Sequence, residues 1–222
     1  TNIRINCTIL DPWYNKGFGG ELPSEQYDKF ISMLLNKSAE ICDLIYLWGF
    51  PEVIGPYVRY APDQFYMAAW LTWYYKNCPS VIRGWRSSQN ACLQFMKKGR
   101  KLYPEHFLNE EQKEKFMSGK MRFVPGPPSV IEAPLIIGFV GKKERTGHPS
   151  QKPEAVFDKL LLMADKKGDI IFDPMAGSGT TAACARKHGM KSIVCDEKEE
   201  YICMIEKRLG VKRLDVELKN VI

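Results

Sequence analysis

The feature that most limits the folds open to this chain is GDIIFDPMAGSGTTAACARKHGMKSIVCD, residues 168–196. GDIIFDP reads as a strand, AGSGTTAACARKHG as a glycine loop opening a helix, and KSIVCD as a second strand. Strands joined through a helix run parallel, and a parallel sheet needs cover on both faces.

The rest of the chain keeps this rhythm. Residues 3–10 predict a strand, and Ser24 to Cys42 a helix with apolar residues at Tyr27, Phe30, Ile31, Leu34, Leu35 and Ile41 and Ser24 as N-cap. DLIYLWG is an unbroken apolar run ended by glycine, a buried strand. The proline-rich segment 50–62 accommodates a short helix over Glu52 to Val58. MAAWLTWYYKN and ACLQFMKKG predict two strands joined by a basic loop. Residues 104–135 interrupt the pattern with a charged helical stretch, NEEQKEKFMSGK, and then VPGPPS, which reads as an insertion. PEAVFDKLLLMAD and EEYICMIEKRL are amphipathic helices. The expectation is one α/β domain over residues 1–222, a three-layer sandwich with a mostly parallel central sheet.

At 45% apolar and 26% charged residues, the 222-residue chain has ordinary globular chemistry. It carries no long uncharged apolar run and no basic-then-apolar leader pattern, so neither a membrane nor secretion is expected, and the expected location is cytoplasmic. Seven scattered cysteines without a C-x-x-C pair read as reduced core residues. His106, His148 and His188 are not spaced as ligands, so no metal is expected.

The net charge of +6 is unevenly spread: between Lys76 and Pro104 there are seven basic residues and no acidic one, interleaved with Trp85 and Phe95. Such a block suits a polyanion, although a solvated basic face looks the same in sequence. The candidates for nucleic-acid contact are Arg83, Arg86, Ser87, Ser88, Lys97, Lys98, Arg100 and Lys101, in a loop at about 77–101.

In FDPMAGSGTT the glycines Gly177 and Gly179 bring backbone amides and a helix start to a strand end. The lysine of a phosphate loop is missing, as is the full G-x-G-x-x-G fingerprint. Asp196 ends the next strand, where a carboxylate accepts from a ribose diol. A cofactor with a ribose but no pyrophosphate fits, namely S-adenosylmethionine, with Asp173 at its methionine ammonium. Either carboxylate could instead be a helix cap or turn residue. ILDPWYNKG, by itself, is a strand running into a turn with core aromatics.

Three motifs together resemble the DNA amino-methyltransferases. FDPMAGSGTT is similar to their cofactor loop D-P-F-x-G-S-G-T-T, GHPSQKP (147–153) to their H-P-[ST]-Q-K-P segment, and DPWY (11–14) to their catalytic [DNS]-P-P-[YFW] tetrapeptide. The order, catalytic motif first and cofactor loop last, is that of the permuted β class. The resemblance implies a Rossmann-like methyltransferase fold in permuted motif order, S-adenosylmethionine as cofactor and double-stranded DNA as partner. It leaves a homodimer or a partner subunit open.

It also implies roles. Asp11 and the Pro12 carbonyl accept from an exocyclic amine, and Tyr14 stacks on a flipped base. Trp13 stands where the family has a second proline and would widen the aromatic wall beside Asp11. Asp173, Pro174, Met175, Ala176, Gly177, Ser178, Gly179, Thr180 and Asp196 form the cofactor loop, with Met175 in place of the usual phenylalanine. Ser150, Gln151 and Lys152 face the methionine carboxylate. Residues 103–130 correspond to a short target-recognition insertion. No covalent intermediate is needed, so no cysteine is assigned. An acidic first residue in the tetrapeptide favours adenine-N6 over cytosine-N4. The alternatives are a cytosine-N4 or RNA enzyme and a non-catalytic nucleic-acid-binding subunit.

Overall fold

The computed structural model describes residues 4–16, 20–78, 81–82 and 84–214. In chain order the elements are β1 (Cys7–Leu10), α1 (Ser24–Ile41), β2 (Leu44–Gly49), α2 (Pro51–Ile54), β3 (Phe65–Tyr74), β4 (Val81–Ile82), β5 (Trp85–Arg86), β6 (Gln89–Lys97), α3 (Glu110–Met117), β7 (Val130–Glu132), α4 (Glu154–Ala164), β8 (Ile170–Asp173), α5 (Thr180–Lys187), β9 (Lys191–Val194) and α6 (Glu199–Leu209). A 3-10 turn, Gly55–Arg59, continues α2, so the short helix expected at 52–58 is split between two windings.

Seven strands form one sheet in the order β7-β3-β6-β2-β1-β8-β9. Every pairing is parallel except the two made by β6. The connection from β3 to β6 is a hairpin-like loop, which can only return the chain antiparallel. β4 and β5 pair separately as a short ribbon within that loop.

The strands of the sheet centre are apolar on both faces because helices cover both. On one face Val156, Phe157, Leu160 and Leu161 of α4 and Cys184 of α5 pack against Cys7, Ile9, Tyr46 and Trp48. Trp48 stacks on Phe157 with ring centroids 5.9 Å apart. On the other face Tyr27, Ile31 and Leu35 of α1 and Ile54 of α2 meet Leu10, Ile45, Leu47, Leu93 and Phe95. The three-layer α/β sandwich follows directly, with β2 buried at all six positions.

Three local expectations change. Ser24 is the first helical residue of α1; the N-cap is Pro23, which offers no side-chain cap. β7 was hidden in the sequence because three residues are too few to show alternation; it adds to the β3 edge with Thr72 opposite Val130. Cys7, Cys42, Cys92 and Cys184 are buried as expected, but Cys195 and Cys203 are exposed.

The insertion at 103–130 starts beside the C-terminal end of α4 and ends on the β3 edge, where Val130 pairs with Thr72. The Tyr103 amide donates to the Met163 carbonyl at 2.9 Å, and Gly126 lies against Met163 and Pro104. α4 runs antiparallel to β1 and β8, so Tyr103 lies at the end of the sheet opposite Asp11, whereas Val130, level with Gly49 through Thr72 and Ala91, lies at the Asp11 end. Among the described residues no helix is long and apolar enough to cross a membrane.

Candidate active site at the carboxyl rim

β1, β8 and β9 are parallel neighbours, so their carboxyl ends deliver Asp11, Asp173 and Asp196 to one rim. In open α/β sheets this rim is where ligands bind. The H-P-S-Q-K-P segment reaches the same rim because it leads into α4, whose N-terminus lies there.

Lys152 ties the three motifs together. Its Nζ donates to Asp11 Oδ2 at 2.5 Å, and its carbonyl accepts from Thr180 Oγ1 at 3.0 Å. The Lys152 side chain is only 6% exposed, and a buried ammonium requires a carboxylate or equivalent acceptors. The ammonium, expected against the methionine carboxylate, is turned here to the catalytic motif. Gln151 is likewise committed to the protein, its Oε1 accepting from the Thr146 amide and hydroxyl and its Nε2 donating to the Glu144 carbonyl. Ser150 is exposed.

Asp11 receives a second hydrogen bond, from the Tyr14 hydroxyl to Oδ1 at 2.9 Å. Burial, with the Asp11 charge beside it, pushes the Tyr14 phenol well above its ordinary range. The Tyr14 ring meets Phe50 edge-on at 4.8 Å, and Lys152 Nζ lies 5.3 Å from its centroid. Each Asp11 oxygen accepts one bond and keeps a lone pair for an incoming N–H.

Trp13 does not form the expected wall beside Asp11. Its indole packs on α1, 5.4 Å from the Tyr27 ring and 4.9 Å from Phe30, and Tyr27 donates to its carbonyl at 2.7 Å. The large apolar surface is better buried on the helix than left at the polar rim. Its Nε1 is buried without a hydrogen-bond partner in the described structure.

In the glycine loop, Gly177 and Gly179 adopt φ of 49° and 73°. A Cβ at Gly177 would lie 2.9 Å from His148 Nε2, and one at Gly179 2.9 Å from Ile205 Cγ1, so both positions require glycine. Asp196 pins the loop by accepting from the Gly177 amide at 2.8 Å and the Lys198 amide at 3.0 Å. Ala176 donates to the Cys195 carbonyl. The buried hydroxyls of Ser178 and Thr180 bond to each other at 3.0 Å, so their side chains fasten the loop. Pro174 and Met175 are half-buried, Met175 against the α1 side of the core.

Asp173 is 3% exposed and accepts from the Met175 amide at 3.0 Å and the Thr181 hydroxyl at 2.5 Å. Burial pushes its carboxyl up to about 7. His148, not singled out from the sequence although it stands in a quoted motif, sits between the motifs. Its ring meets Tyr201 at 4.4 Å, its Nδ1 accepts from the Ser150 amide, and burial pulls its pKa down. Among the described residues no cluster of His, Cys, Asp and Glu could hold a metal ion.

The nucleic-acid candidates divide between the two ends of the sheet. Arg83 lies outside the described residues. Arg86, Ser87 and Ser88 stand at the carboxyl rim, where the Tyr75 amide donates to the Ser88 carbonyl. Nine residues of β6, about 30 Å of strand, then carry the chain to the opposite end. There Lys97 pairs with Asp43 at 3.1 Å, and Lys101 with Glu105 at 3.6 Å. Arg100, 11% exposed, donates to the Ala164 carbonyl and to buried Asp165, both at 2.7 Å. Lys98 is exposed but on the same far end. The block that is continuous in sequence is therefore two groups in space, and Lys97, Lys98, Arg100 and Lys101 are removed from the candidate DNA surface. In their place the loop after β7, which returns along the carboxyl rim to the H-P-S-Q-K-P segment, exposes Lys142, Lys143 and Arg145. A run of cations just before a recognised motif was the available signal.

The N6/N4 DNA methylase family model matches residues 5–207. The Type II methyltransferase M.HpaI of Haemophilus parainfluenzae is 32% identical over 97% of this chain and 73% of its own length. The DNA adenine methyltransferase YhdJ of Escherichia coli (strain K12) is 26% identical over 96% of this chain and 76% of its own. Among solved structures, the M1.HpyAVI–SAM complex superposes with a TM-score of 0.69 at 19% identity, over 94% of this chain and 90% of that one. The last comparison shows a shared fold.

Proposed function

The chain belongs to the N6/N4 DNA methylase family, and on that premise we propose that it transfers the methyl group of S-adenosylmethionine to N6 of an adenine flipped out of duplex DNA. The observation that carries the reading is Lys152, bonded at once to the catalytic motif and to the cofactor loop. Three segments spread over the chain meet there, which supports a site that holds a cofactor and a base face to face.

The residues present fit the cofactor. Asp173 is a buried carboxyl with two donors and a pKa raised to about 7, a group that a methionine ammonium would complement. Asp196 accepts one amide bond on each oxygen and retains lone pairs for a ribose diol. Bound there, S-adenosylmethionine supplies an electrophilic methyl group on a sulfonium.

The remaining work falls to this chain's own residues. An exocyclic amine has its lone pair delocalised into the ring and is a poor nucleophile. Asp11, held by Tyr14 and Lys152, accepts a hydrogen bond from that amine, and the Pro12 carbonyl accepts the second. The two acceptors draw the nitrogen towards tetrahedral geometry and free its lone pair. The methylated nitrogen sheds its proton to the Asp11 carboxylate. Tyr14 supplies the aromatic face for the base. Arg86, Ser87 and Ser88 serve the DNA backbone on the same rim, and Lys142 and Lys143 extend that surface.

Adenine is favoured by the acidic first residue of D-P-W-Y, and the adenine specificity in the name of the relative YhdJ supports it. The test incubates the protein with unmethylated DNA and labelled cofactor, then digests to nucleosides. N6-methyladenine is expected. N4-methylcytosine would overturn the base assignment, and no transfer to any DNA would overturn the enzymatic reading.

A further inference from the structure

We propose that Trp85 is a stacking wedge that enters the duplex and fills the place vacated by the flipped base. This rests on the duplex-DNA reading above. The indole is 85% exposed, whereas Phe95 of the same basic block is fully buried. An indole this bare, within a basic block, offers a flat apolar face to a base.

The ribbon that carries it has a rigid root and a bare tip. At the root, the Tyr75 amide bonds the Ser88 carbonyl at 2.9 Å, and the Tyr75 hydroxyl bonds the Gln89 carbonyl at 3.3 Å. Asn77 is bonded twice to Leu135, through the Leu135 carbonyl and amide at 3.0 and 2.8 Å. At the tip, Gly84 has φ of 79° and no atom within 4 Å of where its Cβ would stand. A hollow of about 230 Å³, bordered by Tyr74, Tyr75, Lys76, Arg86 and Ser88, separates Trp85 from the body of the sheet.

Position and charge agree with this role. The ribbon springs from β3 and β6, three and two strands from β1, so its root is about 10–14 Å from the strand that delivers Asp11. That offset lets the tip reach the base stack while an extruded base hangs towards Asp11. A two-stranded ribbon fits a DNA groove, apolar side chains are known to part base steps, and exposed Arg86 beside the indole meets phosphate.

The experiment uses duplexes carrying the site mapped from the methylated product, either fully paired or with an abasic site opposite the target. W85A should lower kcat/KM on the paired duplex about 10- to 100-fold, the range set by loss of one base–aromatic stack, while W85F stays within about threefold. On the abasic duplex, where little stacking opposes extrusion, W85A should match the wild type within about threefold. Full activity of W85A on paired DNA, or an equal loss on both duplexes, would overturn the proposal. A second arm needs no turnover: the emission difference between wild type and W85F isolates Trp85, and saturating duplex should shield it from acrylamide. Unchanged quenching would refute the wedge even in a chain that transfers no methyl, whereas shielding without transfer would refute only the catalytic reading.

Discussion

Lys152 and Asp11 are separated by 141 positions in sequence, yet Nζ of the one lies 2.5 Å from Oδ2 of the other. Their side chains are 6% and 20% exposed, so the pair is largely withdrawn from water. A pair of this kind fixes geometry more than it adds stability, because desolvation offsets much of the attraction.

Replacing Asp11 with Asn should reduce methyl transfer by at least about 1,000-fold, as expected when a group acting in the transition state is lost. Cofactor affinity, read by calorimetry, should stay within about threefold. Turnover near the wild-type level would remove Asp11 from its role.

Lys152→Met leaves Asp11 without its ammonium and should cost about 3 kcal/mol in denaturant unfolding, the lower end for breaking a buried pair. The double variant K152M/D11N should be more stable than K152M alone, since no uncompensated charge remains. If the two losses simply add, the pair is not coupled.

Arg86→Ala should weaken duplex binding and flatten its salt dependence by about one phosphate contact. Arg100→Ala should leave the salt slope unchanged and lower Tm, because its guanidinium serves Ala164 and Asp165. The reverse pattern would restore the far-end cations to the DNA surface.

Asp173 should make the chain's behaviour depend on pH in a defined direction. Its carboxyl titrates near 4 when unfolded and at about 7 in the fold, so the folded state binds the extra proton between those values. Its contribution is fully present at low pH and declines as pH rises through this window, and Asp173→Asn should flatten that part of the stability profile. Cofactor binding should run the other way: an ammonium needs the ionised carboxylate, so affinity should fall about tenfold for each unit below pH 7, and the fall should vanish in D173N. A wild-type affinity constant from pH 6 to 7.5 would contradict the contact.

Trp13→Phe should retain activity and lose less than about 1 kcal/mol, because Nε1 has no partner to forfeit and the ring still reaches Tyr27 and Phe30. Trp13→Ala should lose about 3 kcal/mol or more through the cavity left against α1. Equal tolerance of both changes, measured by Tm, would mean that the indole anchors nothing.

Local patterns carried much of this molecule. β2 is legible as a buried strand because six successive apolar residues leave no polar face, and α1, α4 and α6 because their apolar residues recur at helical spacing. The three site motifs were legible too, since their chemistry resides in short contiguous strings. β7 was not, because three residues show no alternation and its place is set by pairing with β3 and by the burial of Ile131.

The sequence by itself determined the α/β class, the glycine loop and the identity of Asp11, Asp173 and Asp196 as rim carboxylates, all of which depend on residues near one another in the chain. Tertiary structure alone decided the rest. It turned Lys152 onto Asp11, laid Trp13 on α1 and buried Arg100 against Asp165. The physical reason is common to all three. Where a long side chain ends up depends on which distant groups can bury its surface or neutralise its charge, and the strand order that brings those groups near is not written in local spacing.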